Sequence, residues 1–272
     1  MKRAYADIPE GQVHYRTEGT GFPLLLLHQS VCSSDEYSRV IPFLSKDYHV
    51  IAMDTLGFGE SDKPPRPYKI PDYARSVVSF LDALGIDEAN VVGHHTGASI
   101  AVELTAAYPQ RVHNLVLSGC PFDIERNCSM FPSYAEAFAW YAKAFKPLEI
   151  TADGAYMQQV WEKLQLCTPE DRPDIRYEVA LEYFKAGARG EEAHWASTFF
   201  DTRPRLPLIK CPTLLLSGRN DVLISVLEEV KELIPGAKSL IIEGERTGIP
   251  ILRESPQAFA EAVLEFQGQP ER

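Results

Sequence analysis

The chain predicts an α/β fold: a mostly parallel sheet flanked by helices and interrupted by one long helical insertion. Three observations lead there. Strand-like and helix-like segments alternate over both ends of the 272 residues. Strand runs such as Phe22–His28 (FPLLLLH) are continuously apolar, as expected of strands covered on both faces. From Pro121 to about Pro207 the alternation stops and aromatic, helix-favouring sequence takes over. The implied organisation is a core domain made of 1–120 and 208–272, with an insertion at 121–207.

Ala4–Ile8 and Val13–Thr17 read as a hairpin turning at Pro9-Glu10-Gly11. After the Phe22–His28 strand, Ser33-Ser34-Asp35-Glu36 carries N-cap chemistry for a helix whose apolar face is Val40, Ile41, Phe43 and Leu44. Tyr48–Met53 is a strand ending in the Gly-rich loop Asp54–Pro64. Ile70–Leu84 is a helix with Gly85 as its C-cap. Asn90–Gly93 and Val112–Leu117 are strands on either side of a further helix. Beyond the insertion, Pro212–Leu216 and Lys238–Ile242 are strands, while Ser225–Leu233 and Pro256–Phe266 are helices. Strands alternating with helices require right-handed crossovers and therefore parallel pairing.

A net charge of −11 with no basic stripe argues against nucleic-acid and anionic-membrane partners. The start, MKRAYADIPEGQ, has no apolar signal-peptide core, and no run approaches the ~18 apolar residues of a membrane span, so a cytoplasmic location is expected. Five cysteines (Cys32, Cys120, Cys128, Cys167, Cys211), odd in number and without metal-type spacing, suggest reduced thiols. His28, His94, His95 and His194 form no metal-type spacing either. No metal and no cofactor is expected, and the partner is a small molecule.

The stretch Asn90–Pro109 (NVVGHHTGASIAVELTAAYP) organises the rest. An apolar run turns sharply at Gly93-His94-His95-Thr96-Gly97 and continues as a helix, with small residues where strand, turn and helix approach. That is the layout of a nucleophile elbow, G-x-S-x-G, whose central residue is held strained at the top of a sheet. Here the central residue is His95.

Together, LLLLH (Leu24–His28), DTLGFGESDKP (Asp54–Pro64), VVGHHTGA (Val91–Ala98), SGRNDVL (Ser217–Leu223) and ESPQAFAEAVLEF (Glu254–Phe266) resemble the α/β-hydrolase family with a helical cap. The esterase, epoxide-hydrolase, haloalkane-dehalogenase and C–C-hydrolase group is nearest. The resemblance covers essentially the whole chain. It implies an α/β-hydrolase fold: a mostly parallel eight-stranded sheet flanked by helices, with an inserted helical cap. It also implies that Asp221 matches the triad acid, and that an oxyanion hole is built from the backbone N–H groups of Gln29 and Thr96.

Two departures matter. The family's Ser, Asp or Cys nucleophile is replaced by His95, and no histidine follows His194, although the family's catalytic base lies after the last strand. An ordinary serine-hydrolase mechanism is therefore excluded. At a helix N-terminus the macrodipole disfavours a positive charge, so a neutral His95 imidazole able to accept a proton or attack carbon is expected. Its ring is expected to bond Asp221 directly or through water. The bland alternative is that His95 only fills space.

His94 reads as packing behind the turn, and Asp54 as turn structure. Cys32 reads as a small buried residue, and His194 as a solvated residue of the insertion. Asp123 and Asn127 are reserve acids. Possible pocket residues are His28, Ser30, Trp161, Tyr183, Trp195 and Thr247, the last near the position of the missing histidine. Three functions remain open. The first is a divergent hydrolase of a small apolar ester, lactone or similar electrophile. The others are a cofactor-independent lyase, isomerase or oxygenase, and a ligand binder that has lost the triad.

Overall fold

β3 (Pro23–Leu27) explains the layering of the molecule. Its leucines alternate between two cores, Leu25 and Leu27 on one face of the sheet and Leu24 and Leu26 on the other, all fully buried. Burying such a side chain stabilises the fold by about 1.5–3 kcal/mol, so a run of leucines is stable only with helices on both faces. The same alternation recurs in β4 (His49–Met53), β5 (Ala89–His94) and β6 (Val112–Ser118).

The computed structural model describes residues 1–122, 149–165, 170–243 and 251–268, with Ser133, Ala135, Glu136, Phe138, Ala139 and Thr168. β1 (Lys2–Ile8), β2 (Gly11–Glu18), β7 (Thr213–Gly218) and β8 (Lys238–Ile242) complete an eight-stranded sheet of order β1-β2-β4-β3-β5-β6-β7-β8. β1 pairs with β2, and β2 with β4, antiparallel; the other neighbours are parallel. From β3 the chain first goes to β4 on one side, then returns to β5 on the other. The strand order therefore reverses between β3 and β5. Their carboxyl ends open a crevice there, the usual ligand position in such sheets.

Two helices differ from the sequence reading. After Ser33, whose hydroxyl accepts the Asp35 N–H, only a 3-10 turn Ser34–Tyr37 forms, followed by the short helix Ile41–Leu44. The Asp54 carboxylate takes the Ser34 N–H at 2.7 Å, which ties this segment to the loop after β4. The helix expected from Ser225 starts at Leu227, after a 3-10 turn over Ile224–Val226.

Between β6 and β7 lie the helices Ala155–Gln165, Pro173–Ala186 and Glu192–Thr198. Polar contacts fasten them to the sheet's surroundings. Ser197 and Ser99 hydroxyls lie 2.7 Å apart, Arg39 reaches Glu178 at 2.7 Å, and Lys63 Nζ donates to the Ala186 carbonyl at 2.9 Å. Among the described residues no helix is long and apolar enough to cross a membrane, and Cys32, Cys120 and Cys211 are free thiols.

The helix after β5, Thr96–Ala107, sits against β3 so closely that a Cβ on Gly97 would lie 2.1 Å from the Leu27 carbonyl oxygen. Backbone cannot yield there as a side chain would. Gly97→Ala is expected to destabilise the protein by about 2–4 kcal/mol, read by urea denaturation.

Candidate active site

His95 is the one non-glycine residue with positive φ among the described residues, at φ 47° and ψ −109°. Such a conformation costs about 1–3 kcal/mol and persists only where the surroundings over-determine it. Here they do. The His95 N–H donates to the Ser118 carbonyl at 2.9 Å, and its own carbonyl accepts from Ala98 at 2.8 Å and Ser99 at 3.1 Å. A Cβ on Gly93 would lie 2.4 Å from the Gly97 carbonyl oxygen, so the turn closes only with glycine at that position.

The ring so displayed reaches across to the loop after β7. His95 Nε2 lies 2.9 Å from Asp221 Oδ2, a direct contact with no intervening group. The Leu223 N–H, 2.8 Å from Asp221 Oδ1, holds the other oxygen. Burial pushes the Asp221 carboxyl up, but the neighbouring His95, its hydrogen bond, His94 and the Leu223 N–H outweigh it and hold the group well below the usual carboxylate range. An ionised Asp221 accepts, so Nε2 carries a hydrogen. Gly119 shapes the same spot. Its φ is +56°, and a Cβ there would lie 2.5 Å from His95 Nε2 and 2.7 Å from Asp221 Oδ2. In sequence Gly119 is one glycine among seventeen, and nothing local marks it.

His94 packs behind the turn, with Nδ1 3.1 Å from Ser118 Oγ and its ring 4.4 Å from that of His95. Burial, with the charge of His95 adding, keeps it neutral well below its ordinary titration. On its far side lies Glu36, which sequence reasoning assigned only to helix capping. The Glu36 side chain is fully buried. Burial pushes its carboxyl up to about 7, against the pull of Arg253 and of two Gln29 donors.

Those donors bear on the expected oxyanion hole. The Gln29 N–H does not point into an open pocket; it donates to Glu36 Oε2 at 3.0 Å, while Gln29 Nε2 donates to Oε1 at 2.7 Å. The reason is the buried carboxylate, which must collect donors to remain in a dry site. Thr96 begins the elbow helix, where backbone N–H groups have no intrahelical acceptor. Ser30 Oγ is buried and makes no hydrogen bond. Cys32 is buried, and desolvation raises its thiol far above the ordinary range.

His28 is committed to structure. Its Nδ1 lies 2.7 Å from the Gln29 carbonyl, and Nε2 accepts from the Thr55 N–H at 3.0 Å. Asp54 likewise collects His14 Nδ1 at 2.8 Å with the N–H groups of Ser34 and Glu60. Tyr183 and Lys163 both donate to Glu191, Arg176 stacks 5.2 Å over Trp161, and Trp195 packs on Phe199 at 4.6 Å. All of these contacts lie within the helical segment. His194, expected to be solvated, is half-buried; burial lowers its proton affinity, and the charge of His95 is close enough to lower it further. Thr247, Asp123 and Asn127 lie outside the described residues. Among the described residues no group of three or more His, Cys, Asp or Glu side chains could hold a metal ion.

A family model described as alpha/beta hydrolase fold matches residues 23–247. The chain belongs to that family. It is similar to a 2-hydroxymuconate semialdehyde hydrolase of Pseudomonas sp. (strain CF600), 29% identical over 76% of this chain and 72% of the relative. A haloalkane dehalogenase 2 of Mycobacterium bovis is 26% identical over 96% of this chain and 93% of the relative. Among solved structures, a hydrolase from Pseudomonas aeruginosa PA01 superposes with a TM-score of 0.81 at 22% identity, covering 98% of each chain, a likeness of fold.

Two outcomes follow for this alpha/beta hydrolase. His95→Gly and His95→Ala both remove the ring, but only glycine accepts the positive φ, so the glycine variant is expected to be more stable by about 1–2 kcal/mol in denaturant melts. Equal stability would mean that the turn is unstrained. Glu36, raised to about 7 from an ordinary 4.5, keeps a proton in the folded state that the unfolded chain has released. Folding stability should therefore fall as pH rises between those values, by up to about 3 kcal/mol. Glu36→Gln should lose that part of the slope in urea melts across the same range.

Proposed function

We propose that this hydrolase-type enzyme acts on a small apolar ester-, lactone- or similar electrophile-containing substrate, with His95 as general base or nucleophile and Asp221 as its supporting acid. The observation that carries the reading is the direct His95–Asp221 contact, 2.9 Å long, between the residues that follow the carboxyl ends of β5 and β7. One strained residue, His95, would stand in for the nucleophile and the base of a triad, with Asp221 in the place of its acid.

With Nε2–H donated to Asp221, Nδ1 takes a proton from water as the oxygen attacks the electrophilic carbon. Asp221 then stabilises the imidazolium. In the nucleophilic variant, Nδ1 attacks the carbonyl carbon, the ester C–O bond breaks and the alkoxide leaves, taking a proton from water. Water then adds to the acyl-imidazole carbon, the C–N bond breaks, and the acid and the free ring are released. The Thr96 N–H, at the start of a helix, would stabilise charge developing on the substrate oxygen. Gln29 contributes to such a hole only if its N–H leaves Glu36. Residues 121–207 would act as a cap excluding water, with Ser30 and the aromatics Trp161, Tyr183 and Trp195 as candidate pocket residues. The names of the relatives support hydrolysis as the reaction class.

One observation favours a second reading, a cofactor-independent non-hydrolytic enzyme or a ligand binder. The Gln29 N–H is already occupied by Glu36, so fewer donors remain for a tetrahedral oxyanion.

The test is a turnover screen of short aryl esters, lactones, epoxides and haloalkanes on wild type and His95→Ala. Turnover by wild type that drops at least about a hundredfold in the variant is expected. Equal turnover by both proteins would remove His95 from the mechanism. Inactivity of both on every compound would move the reading to non-hydrolytic chemistry or binding.

A further inference from the structure

Glu36 is not needed by the chemistry above, yet it is the most tightly enclosed acid near His95. Its carboxylate receives both amide donors of Gln29, at 3.0 and 2.7 Å. Its Oε1 also lies 4.0 Å from His94 Nε2, a buried nitrogen with no hydrogen bond of its own. The His94 ring in turn lies 4.4 Å from the ring of His95. Behind the carboxylate sits Arg253, buried, with Nη1 on Glu178 and with Nε and Nη2 unpartnered. The groups facing Glu36 are thus Gln29 and Cys32 from the loop after β3, His94 and His95 from the end of β5, and Arg253 from the helix Ile251–Glu254. Those facing His95 include Asp221, His94, His194 and Glu36.

We propose that Glu36 is a second carboxylate of the His95 centre: a positioning residue that, held by Gln29 and acting across the His94 ring, sets how readily His95 holds a proton. The proposal rests on the role given to His95 above. A loop anchor alone would not need an acid, because a neutral amide could accept from Gln29 without the several kcal/mol that a buried charge costs. Placed one ring behind His95, a carboxylate instead offsets the positive charge that arises when His95 accepts a proton, in surroundings where little water screens it. His95 would then sit between two acids, Asp221 in contact and Glu36 behind. Its proton affinity would depend on whether Glu36 is ionised.

The experiment is an NMR titration of the His95 Cε1 resonance in full-length protein with labelled histidine, assigned with His95→Ala. In wild type the resonance is expected to show a second, smaller step where Glu36 ionises. In Glu36→Gln that step should vanish, and the His95 midpoint should fall by about one pH unit, a roughly tenfold weaker hold on the proton. Gln29→Ala removes one donor but leaves the charge, so the second step should move to higher pH. This variant decides the matter if Glu36→Gln does not fold. His95 titrations that superimpose in wild type and the folded variants would overturn the proposal. Turnover is not read, so a chain inactive on every screened substrate would sink the proposed activity without touching this result.

Discussion

The backbone at residue 95 is the constraint on which the rest of the site depends. A strand buried on both faces must reverse into a helix within one residue, and the only room for that turn lies above β3. Glycines at 93 and 97 let the helix and the neighbouring strand approach, and the Ser118 carbonyl holds the 95 N–H in place. Once φ is forced positive, the side chain at 95 has no choice but to project above the sheet. Its chemistry is then decided by what the adjacent strand ends bring to it.

Those strand ends bring two acids whose proton affinities are shifted in opposite directions. Asp221 is held ionised by a direct contact with His95 and by a backbone donor, which together overcome its burial. Glu36 is buried more deeply, and the pull of Arg253, of the Gln29 donors and of His95 does not outweigh that burial, so its carboxyl rises to about 7. The difference is one of partners rather than of residue type. A carboxylate in contact with a group that becomes cationic is held low; one fully buried and bonded mainly to amide donors is pushed up. This asymmetry also accounts for Gln29. The long amide of Gln29 supplies a second donor to that buried acid, and its backbone N–H is committed to Glu36.

The helical segment between β6 and β7 is joined to the sheet by apolar and polar links together: Val160, Leu164, Ala180 and Ala186 share one buried core with Leu25, Leu27 and Phe58. Ser99–Ser197, Lys63–Ala186 and Arg39–Glu178 add polar contacts to that packing. Glu178 also accepts from Arg253, so the same acid that fastens the segment to Arg39 fixes the guanidinium behind Glu36. The seam and the buried charge network are therefore one structure. His194, in the last helix of that segment, is close enough for the charge of His95 to lower its proton affinity.

Much of the architecture was legible in the chain itself. Continuous apolar runs such as Leu24–Leu27 identify strands with both faces covered, and the Gly-x-His-x-Gly spacing after Val92 marks a strained turn, because both signals arise from neighbours in sequence. Asp221 was singled out by the resemblance of Ser217–Leu223 to the family, and it lies 2.9 Å from His95. The environment of Glu36 was not legible, since its partners come from Gln29, His94 and Arg253, which are far apart along the chain. Nor was the fit of Gly119 against His95 and Asp221. Local pattern determined where the chain bends and which side chain is displayed. Only tertiary contact decided which charges meet in a dry interior, because the cost of burying a charge depends on partners that sequence spacing does not reveal.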